Sequence, residues 1–291
     1  MTAPPDAGLE ERLERGEVVY YPVCPFPAPE GEDRAFLLAQ ELGSRAHKNI
    51  SFDPHTGRAS GFRRRSRSES ARLRDLLAGF SATATAWLAR ALPRYTRHWR
   101  LDMVSYRPLE EATRRLRLKA RNDLLHVDAF PSRPTNGWRI LRLFVNVNPA
   151  DPRIWVTSEP FARLFARYGA AAGLPGAAGE SLVRQLSQGV LRLFHPRRVS
   201  RSAYDAFMLR FHDYLKAHDD FQEHGPKRFW SFAPGSAWLA MTDTCSHAVM
   251  RGRYALEHSY FISPDDLALP DESPAAILER ACGRPVLDRA A

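Results

Sequence analysis

Trp138-Arg139-Ile140-Leu141-Arg142-Leu143-Phe144-Val145-Asn146-Val147-Asn148 alternates with a period of two. Leu141, Leu143 and Val145 fall on one face, and Arg142, Phe144 and Asn146 on the other, as in a strand with two unlike sides. Trp99 to Arg107 alternates in the same way, and so do Lys227 to Ala233, Ala237 to Met241 and Arg253 to Ile262, with a Pro234-Gly235 turn among them. Val18 to Val23 reads as a further short strand, closed by Pro22, Pro25, Pro27 and Pro29. Helical spacing governs other stretches. Asp33 to Leu42 is one, and Ser68 to Leu92 is the strongest, carrying Leu73, Leu76, Leu77, Phe80, Ala84, Trp87 and Leu88 on one stripe before Pro93 ends it. From Ser158 to about His224 the pattern is again helical, with a small-residue hinge from Gly169 to Gly179, and a short helix is expected from Ala275 to Ala281. Strands that surround a helical stretch, without regular strand-helix alternation, point to an α+β chain. Its core should be a β-barrel or sandwich rather than a parallel sheet.

The 291 residues are 44% hydrophobic and 26% charged, which excludes collagen-like, coiled-coil and wholly disordered chains. No apolar run approaches the roughly 20 residues that span a bilayer. The first residues, MTAPPDAGLEERLERGE, lack the apolar stretch of a signal peptide. Cys24, Cys245 and Cys282 are scattered, with no C-x-x-C spacing, so neither a disulfide framework nor a zinc knuckle is expected. These features lead to the expectation of a cytoplasmic protein. Lys plus Arg is 42 against 33 acidic residues, a net charge of +9, and lysine occurs only at positions 48, 119, 216 and 227. Such a balance favours an anionic partner, and arginine suits carboxylates and phosphates. The densest run, Gly61-Phe-Arg-Arg-Arg-Ser-Arg67, has no aromatic interleaving or helical register and reads as an exposed loop.

Chemistry is concentrated at His126-Val127-Asp128. On extended chain, residues two apart share a face, so this imidazole and carboxylate would converge on one point. With one distant histidine they would make the 2-His-1-carboxylate triad that holds iron(II) and leaves positions open for co-substrate and oxygen. The third ligand should lie on a later strand, where His247 in Ser246-His-Ala-Val249 follows a turn and strand. His258 is the rival, read as an in-strand histidine satisfied by its neighbours. His47, His55 and His98 fall in loops, and His195, His212, His218 and His224 in the helical stretch. Zinc is the alternative metal, but no H-E-x-x-H or Cys/His cluster argues for it.

Two stretches, HVDAFPSRPTNGWRILRLFVNVNP and SHAVMRGRYALEHSYF, resemble the Kdo hydroxylase family. The preceding VSYRPLEEATRRLRLKARNDLL and RFWSFAPGSAWLAMTD also fit, so the resemblance runs from about Trp99 to Ile262. It implies a double-stranded β-helix (jelly-roll, cupin-like) core within one domain over 1–291. The parts would be an N-terminal flank (1–98), a barrel core (99–157 and 227–262), a helical insertion between the metal motifs (158–226) and a tail (263–291). It also implies an iron(II)- and 2-oxoglutarate-dependent dioxygenase that uses O2, with His126, Asp128 and His247 as iron ligands. The substrate implied is a Kdo-containing lipid A precursor, hydroxylated at C3 of a Kdo sugar to give Ko.

Many 2-oxoglutarate enzymes place a basic residue shortly after the distal histidine to bind the far carboxylate. Here that place falls near Glu257 and His258, so another arginine must serve. If the face carrying Arg142, Phe144 and Asn146 lines the barrel, Arg142 becomes a carboxylate partner and Asn146 a hydrogen-bond donor. An inward, unpaired Arg142 demands an anion. Arg253 and Arg107 are second choices, and Tyr106 is a further donor. A basic face would also suit peripheral contact with an anionic inner leaflet. Two other readings stand beside this one: a 2-oxoglutarate oxygenase acting on another substrate, and a non-catalytic basic module that binds nucleic acid or lipid through Arg63 to Arg67. Only the last needs neither iron nor His126.

Overall fold

The structure, a computed structural model, describes residues 8–44, 47–113, 116–174 and 201–288. Among these residues ten strands form two antiparallel sheets. The strands are β1 (Val19–Tyr21), β2 (Ile50–Asp53), β3 (Arg58–Ser60), β4 (Arg100–Arg107), β5 (Arg139–Asn146), β6 (Arg153–Pro160), β7 (Arg228–Phe232), β8 (Ala237–Met241), β9 (Cys245–Arg251) and β10 (Ala255–Ile262). The large sheet has the order β1-β8-β5-β10-β4-β2-β3 and the small one β7-β6-β9. The helices are α1 (Leu9–Glu14), α2 (Gly31–Leu38), α3 (Arg67–Ala91), α4 (Phe161–Tyr168), α5 (Ala203–Ala217), α6 (Asp219–His224) and α7 (Pro274–Cys282).

The alternation of β5 explains why the layers stack as they do. Leu141, Leu143 and Val145 enter a core shared with Leu73, Leu77, Phe80, Ala84 and Leu88 of α3, so this helix covers one face of the large sheet. Phe144, one residue out of phase, meets the small sheet instead: its ring stacks on Trp238 at 5.2 Å and stands edge-on to Trp155 at 4.8 Å. Phe232 stacks on Trp238 at 3.9 Å, which completes an aromatic core between the sheets. Helix α3 starts where Ser66 caps it by accepting from the Glu69 amide, a common N-cap bond.

A third core gathers Phe161 and Leu164 of α4 with Tyr204, Phe207, Phe211 and Leu215 of α5 and Leu278 of α7 against the outer face of the small sheet. The remaining face of α5 carries Leu209, His212, Asp213 and Lys216, spaced as one helical stripe, and lines a cavity described below.

Sequence expectation and structure differ most at two features. The hairpin β2–β3 was not expected; it turns through Asp53 to Gly57, where the Asp53 carboxylate accepts from the His55 amide at 2.9 Å. Strand β6 was not expected either; it runs from Arg153 to Pro160, so the helical stretch begins at Phe161 rather than Ser158. Residues 175–179 of the hinge, His195, and 175–200 of the helical stretch lie outside the described residues.

Candidate metal centre

His126 lies on extended chain that is not part of a named strand. It exchanges two main-chain bonds with His247 on β9, at 3.2 and 2.9 Å, and the Asp128 amide donates to the Thr242 carbonyl at 2.7 Å. These bonds fix the backbone so that Val127 packs into the helical core while His126 and Asp128 turn the other way. One ligand atom each from His126, Asp128 and His247 lies within 4.8 Å of the others, and all three residues are buried. His126 Nε2 is 3.6 Å from one Asp128 oxygen and His247 Nε2 is 3.9 Å from the other.

The tautomers follow from the other ring nitrogens. His126 Nδ1 is 2.7 Å from the Leu124 carbonyl and His247 Nδ1 is 2.9 Å from the Cys245 carbonyl. A carbonyl only accepts, so both Nδ1 atoms carry hydrogen and both Nε2 lone pairs face the carboxylate. This is the arrangement that orients imidazole ligands on a metal. Burial holds both histidines below their ordinary pKa, hence neutral. Burial opposes ionisation of Asp128, but Arg142 and the two histidines outweigh it and hold its carboxyl well below the usual range. Two neutral imidazoles and one carboxylate, with no thiolate, suit iron(II).

The triad opens on a cavity of about 560 Å³ lined by six cationic side chains, from Lys48, Arg107, Lys119, Arg133, Arg142 and Lys216, and four carboxylates, from Asp102, Asp128, Asp213 and Glu257. Arg142 points into the cavity, the inward of the two directions that the alternation of β5 left open, but the protein itself supplies anions for it. Its Nη1 is 2.9 Å from Glu257 Oε1 and its Nη2 is 3.1 Å from Asp128 Oδ2. Arg107 binds the other Glu257 oxygen at 2.5 and 2.9 Å. Burial works against the Glu257 charge, yet Arg107 and Arg142 pull its pKa down to about 2.

Three residues expected at the co-substrate pocket lie elsewhere. The Asn146 amide group donates to the Asp151 and Phe232 carbonyls, both at 3.0 Å, and its oxygen accepts from the Asn148 amide, so its side chain is spent on the chain itself. Tyr106 is buried in the core under α3, on the opposite face of the large sheet. Arg253 stacks over the Tyr254 ring at 3.9 Å and does not line the cavity. His258 likewise points away from the triad: it pairs with Val104 and Leu143, residues of the α3 face, and is fully buried there. Glu257, which the sequence marks only as a place where no cation stands, is the anion that Arg107 and Arg142 share. His212, assigned only to a helical stretch, sits with its ring 4.8 Å from that of His126 and donates through Nδ1 to the Val127 carbonyl at 2.8 Å. Neither it nor Lys216 had a local sequence signal beyond the helical spacing from Leu209.

The family model for 3-deoxy-D-manno-oct-2-ulosonic acid (Kdo) hydroxylase matches residues 1–285. The chain belongs to the Kdo hydroxylase family. The match includes the N-terminal flank, which carried little of the sequence resemblance. Solved structures agree. The Kdo hydroxylase KdoO, described as a non-heme Fe(II) alpha-ketoglutarate-dependent dioxygenase, is similar in complex with alpha-ketoglutarate and Fe(III), at 29% identity and a TM-score of 0.85. Its cobalt(II) complex is similar at 30% identity and a TM-score of 0.86. Each comparison covers 100% of this chain and 95% of the other. No curated protein matches the chain. As in a Kdo hydroxylase of this kind, the mixed α and β architecture is built on antiparallel sheets.

Proposed function

We propose that this Kdo hydroxylase is an iron(II)- and 2-oxoglutarate-dependent dioxygenase that uses O2 to hydroxylate C3 of a Kdo sugar in a Kdo-containing lipid A precursor, giving Ko. The observation that carries the reading is the convergence of two Nε2 lone pairs and the Asp128 carboxylate at the wall of a cationic cavity. His126, Asp128 and His247 would hold the iron. Iron with 2-oxoglutarate and oxygen supplies the oxidising chemistry that no side chain here provides. The protein's own part is to orient ligands and bind anions. The Leu124 and Cys245 carbonyls set the histidine tautomers, and Arg142 braces Asp128. Arg107 and Arg142 are our candidates for the far carboxylate of 2-oxoglutarate, because they alone of the five residues expected there line the cavity.

We read the two facing sheets as a jelly-roll, double-stranded β-helix core within one domain, and α4 to α6 as an insertion that walls the substrate side. Support comes from the aromatic core between the sheets and from the cavity-facing stripe of α5. We also place the enzyme in the cytoplasm, in peripheral contact with the inner leaflet. No helix among the described residues is long and apolar enough to cross a membrane. Arg58, Arg64 and Arg67 stand exposed beside α3 and suit anionic lipid.

The test is an aerobic incubation with iron(II), 2-oxoglutarate, ascorbate and Kdo-terminated lipid A, read by mass spectrometry. One oxygen added to the Kdo unit per succinate formed, and neither product with His126→Ala, supports the proposal. Iron-dependent succinate without oxygenated Kdo would discard the substrate and keep the oxygenase. Full turnover by His126→Ala would remove the metal site.

A further inference from the structure

Lysine is rare in this chain, at four of 42 basic residues, yet Lys48, Lys119 and Lys216 all line the cavity that holds the triad. They differ in what they already bind. Lys119 is spent on Asp213 at 2.6 Å, and its side chain is 75% exposed at the rim. Lys48 is exposed as well and donates to the Ala120 carbonyl at 3.2 Å. Lys216 is buried, only 3% exposed, and its ammonium donates to one carbonyl, that of Lys119, at 3.2 Å. No carboxylate of the described residues pairs with it. An ammonium has three hydrogens to give and is costly to bury without an anion. Burial depresses the group accordingly, to a pKa of about 8.

The other buried cations of the cavity have their anions. Arg107 and Arg142 share Glu257 and Asp128 on the sheet side. Lys216 stands on the helical side, at the C-terminal end of the α5 stripe and next to the exposed rim formed by Lys119 and Asp213. The two walls therefore suit two anions. A small diacid can reach the enclosed arginines, whereas a sugar acid carried on a lipid must enter from the rim and reaches Lys216 beneath Lys119. A 3-deoxy-octulosonic acid carries one carboxylate bonded directly to its anomeric carbon, and a point-like ammonium on a flexible stem can follow it as the sugar seats.

We propose that Lys216 is the anchor for the substrate's carboxylate and so a specificity-determining residue of this site. The assignment rests on the Kdo hydroxylase reading.

The test compares wild type with Lys216→Met, which keeps the length of the side chain and removes its charge. KM for Kdo-terminated lipid A should rise about tenfold to a hundredfold, as expected for the loss of a charged hydrogen bond. KM for 2-oxoglutarate should stay within about twofold. Esterifying the Kdo carboxylate supplies the second half of a cycle: the methyl ester should lose a similar factor with wild type and little more with Lys216→Met. Free Kdo should raise the Tm of metal-free wild type more than that of the variant. Unchanged KM for the Kdo substrate, equal thermal shifts, or an ester penalty that persists in full in the variant would each overturn the assignment. A rise confined to the KM for 2-oxoglutarate would also overturn it, because the carboxylate held would be that of the co-substrate. Absence of Kdo turnover by wild type would instead overturn the family-level reading on which the proposal stands.

Discussion

Glu257→Gln isolates the charge network behind the metal site, because glutamine keeps the shape of the side chain and removes one negative charge. Glu257 is 3% exposed and receives Arg107 at 2.5 and 2.9 Å and Arg142 at 2.9 Å. Its pKa of about 2, against an ordinary 4.5, corresponds to about 3 kcal/mol at neutral pH, at about 1.4 kcal/mol per unit. Removing one partner from a buried pair costs about 3–5 kcal/mol by an independent measure, and the low end applies here because Arg142 keeps Asp128 at 3.1 Å and Arg107 keeps Glu111 at 3.7 Å. The two routes agree near 3 kcal/mol. The folded pKa lies below the unfolded one, so the stabilisation is complete well above pH 4.5 and is lost as pH falls toward 2. Urea unfolding of metal-free protein should therefore show Glu257→Gln less stable by about 3 kcal/mol at pH 7, with the gap narrowing by about 1 kcal/mol by pH 4. Because Arg142 also braces Asp128, metal affinity should fall about tenfold to a hundredfold in the same variant. A gap below about 1 kcal/mol at pH 7, or one that ignores pH, would refute the network as described.

Three further outcomes follow from the packing. Burial lowers the His258 pKa to about 3, so the unfolded chain binds a proton there below pH 6.5 that the folded chain refuses. Stability should fall by about 2 kcal/mol more between pH 7 and 5 in wild type than in His258→Phe, measured by urea unfolding at both pH values. Trp155→Ala empties the aromatic core between the sheets, where Trp155 touches Phe144, Phe232 and Trp238, and should cost about 3–5 kcal/mol in the same assay. Ser66→Ala removes the cap that accepts from the Glu69 amide and should cost about 1 kcal/mol, seen as a small fall in Tm with no change in activity.

Much of the architecture was legible because one physical signal dominated. Strand β8 was expected from Ala237 to Met241 and found there, and α3 differs by one residue at each end, since apolar residues mark both without interruption. The hairpin β2–β3 has no such signal, because Arg58-Ala59-Ser60 has little apolar pattern and pairs only at a sheet edge. At the site, His126, Asp128 and His247 converged as expected, although the first two sit on extended chain held by β9 rather than on a strand of their own. That Arg142 shares a face with Phe144 was readable from β5, but the inward turn of that face and the partners of Arg142 were not, because Glu257 reaches it from β10 across a register that only folding reveals. His212 and Lys216 come from a helix between the motifs. No local pattern could announce that its polar stripe would face the cavity.

Cobalt(II) titration of the metal-free protein, followed by visible absorption, tests most directly whether the buried triad is a metal centre. Wild type should bind one equivalent, and His126→Ala, Asp128→Ala and His247→Ala should lose it, each still folded by circular dichroism. Undiminished binding in those three variants would contradict a metal centre at the triad.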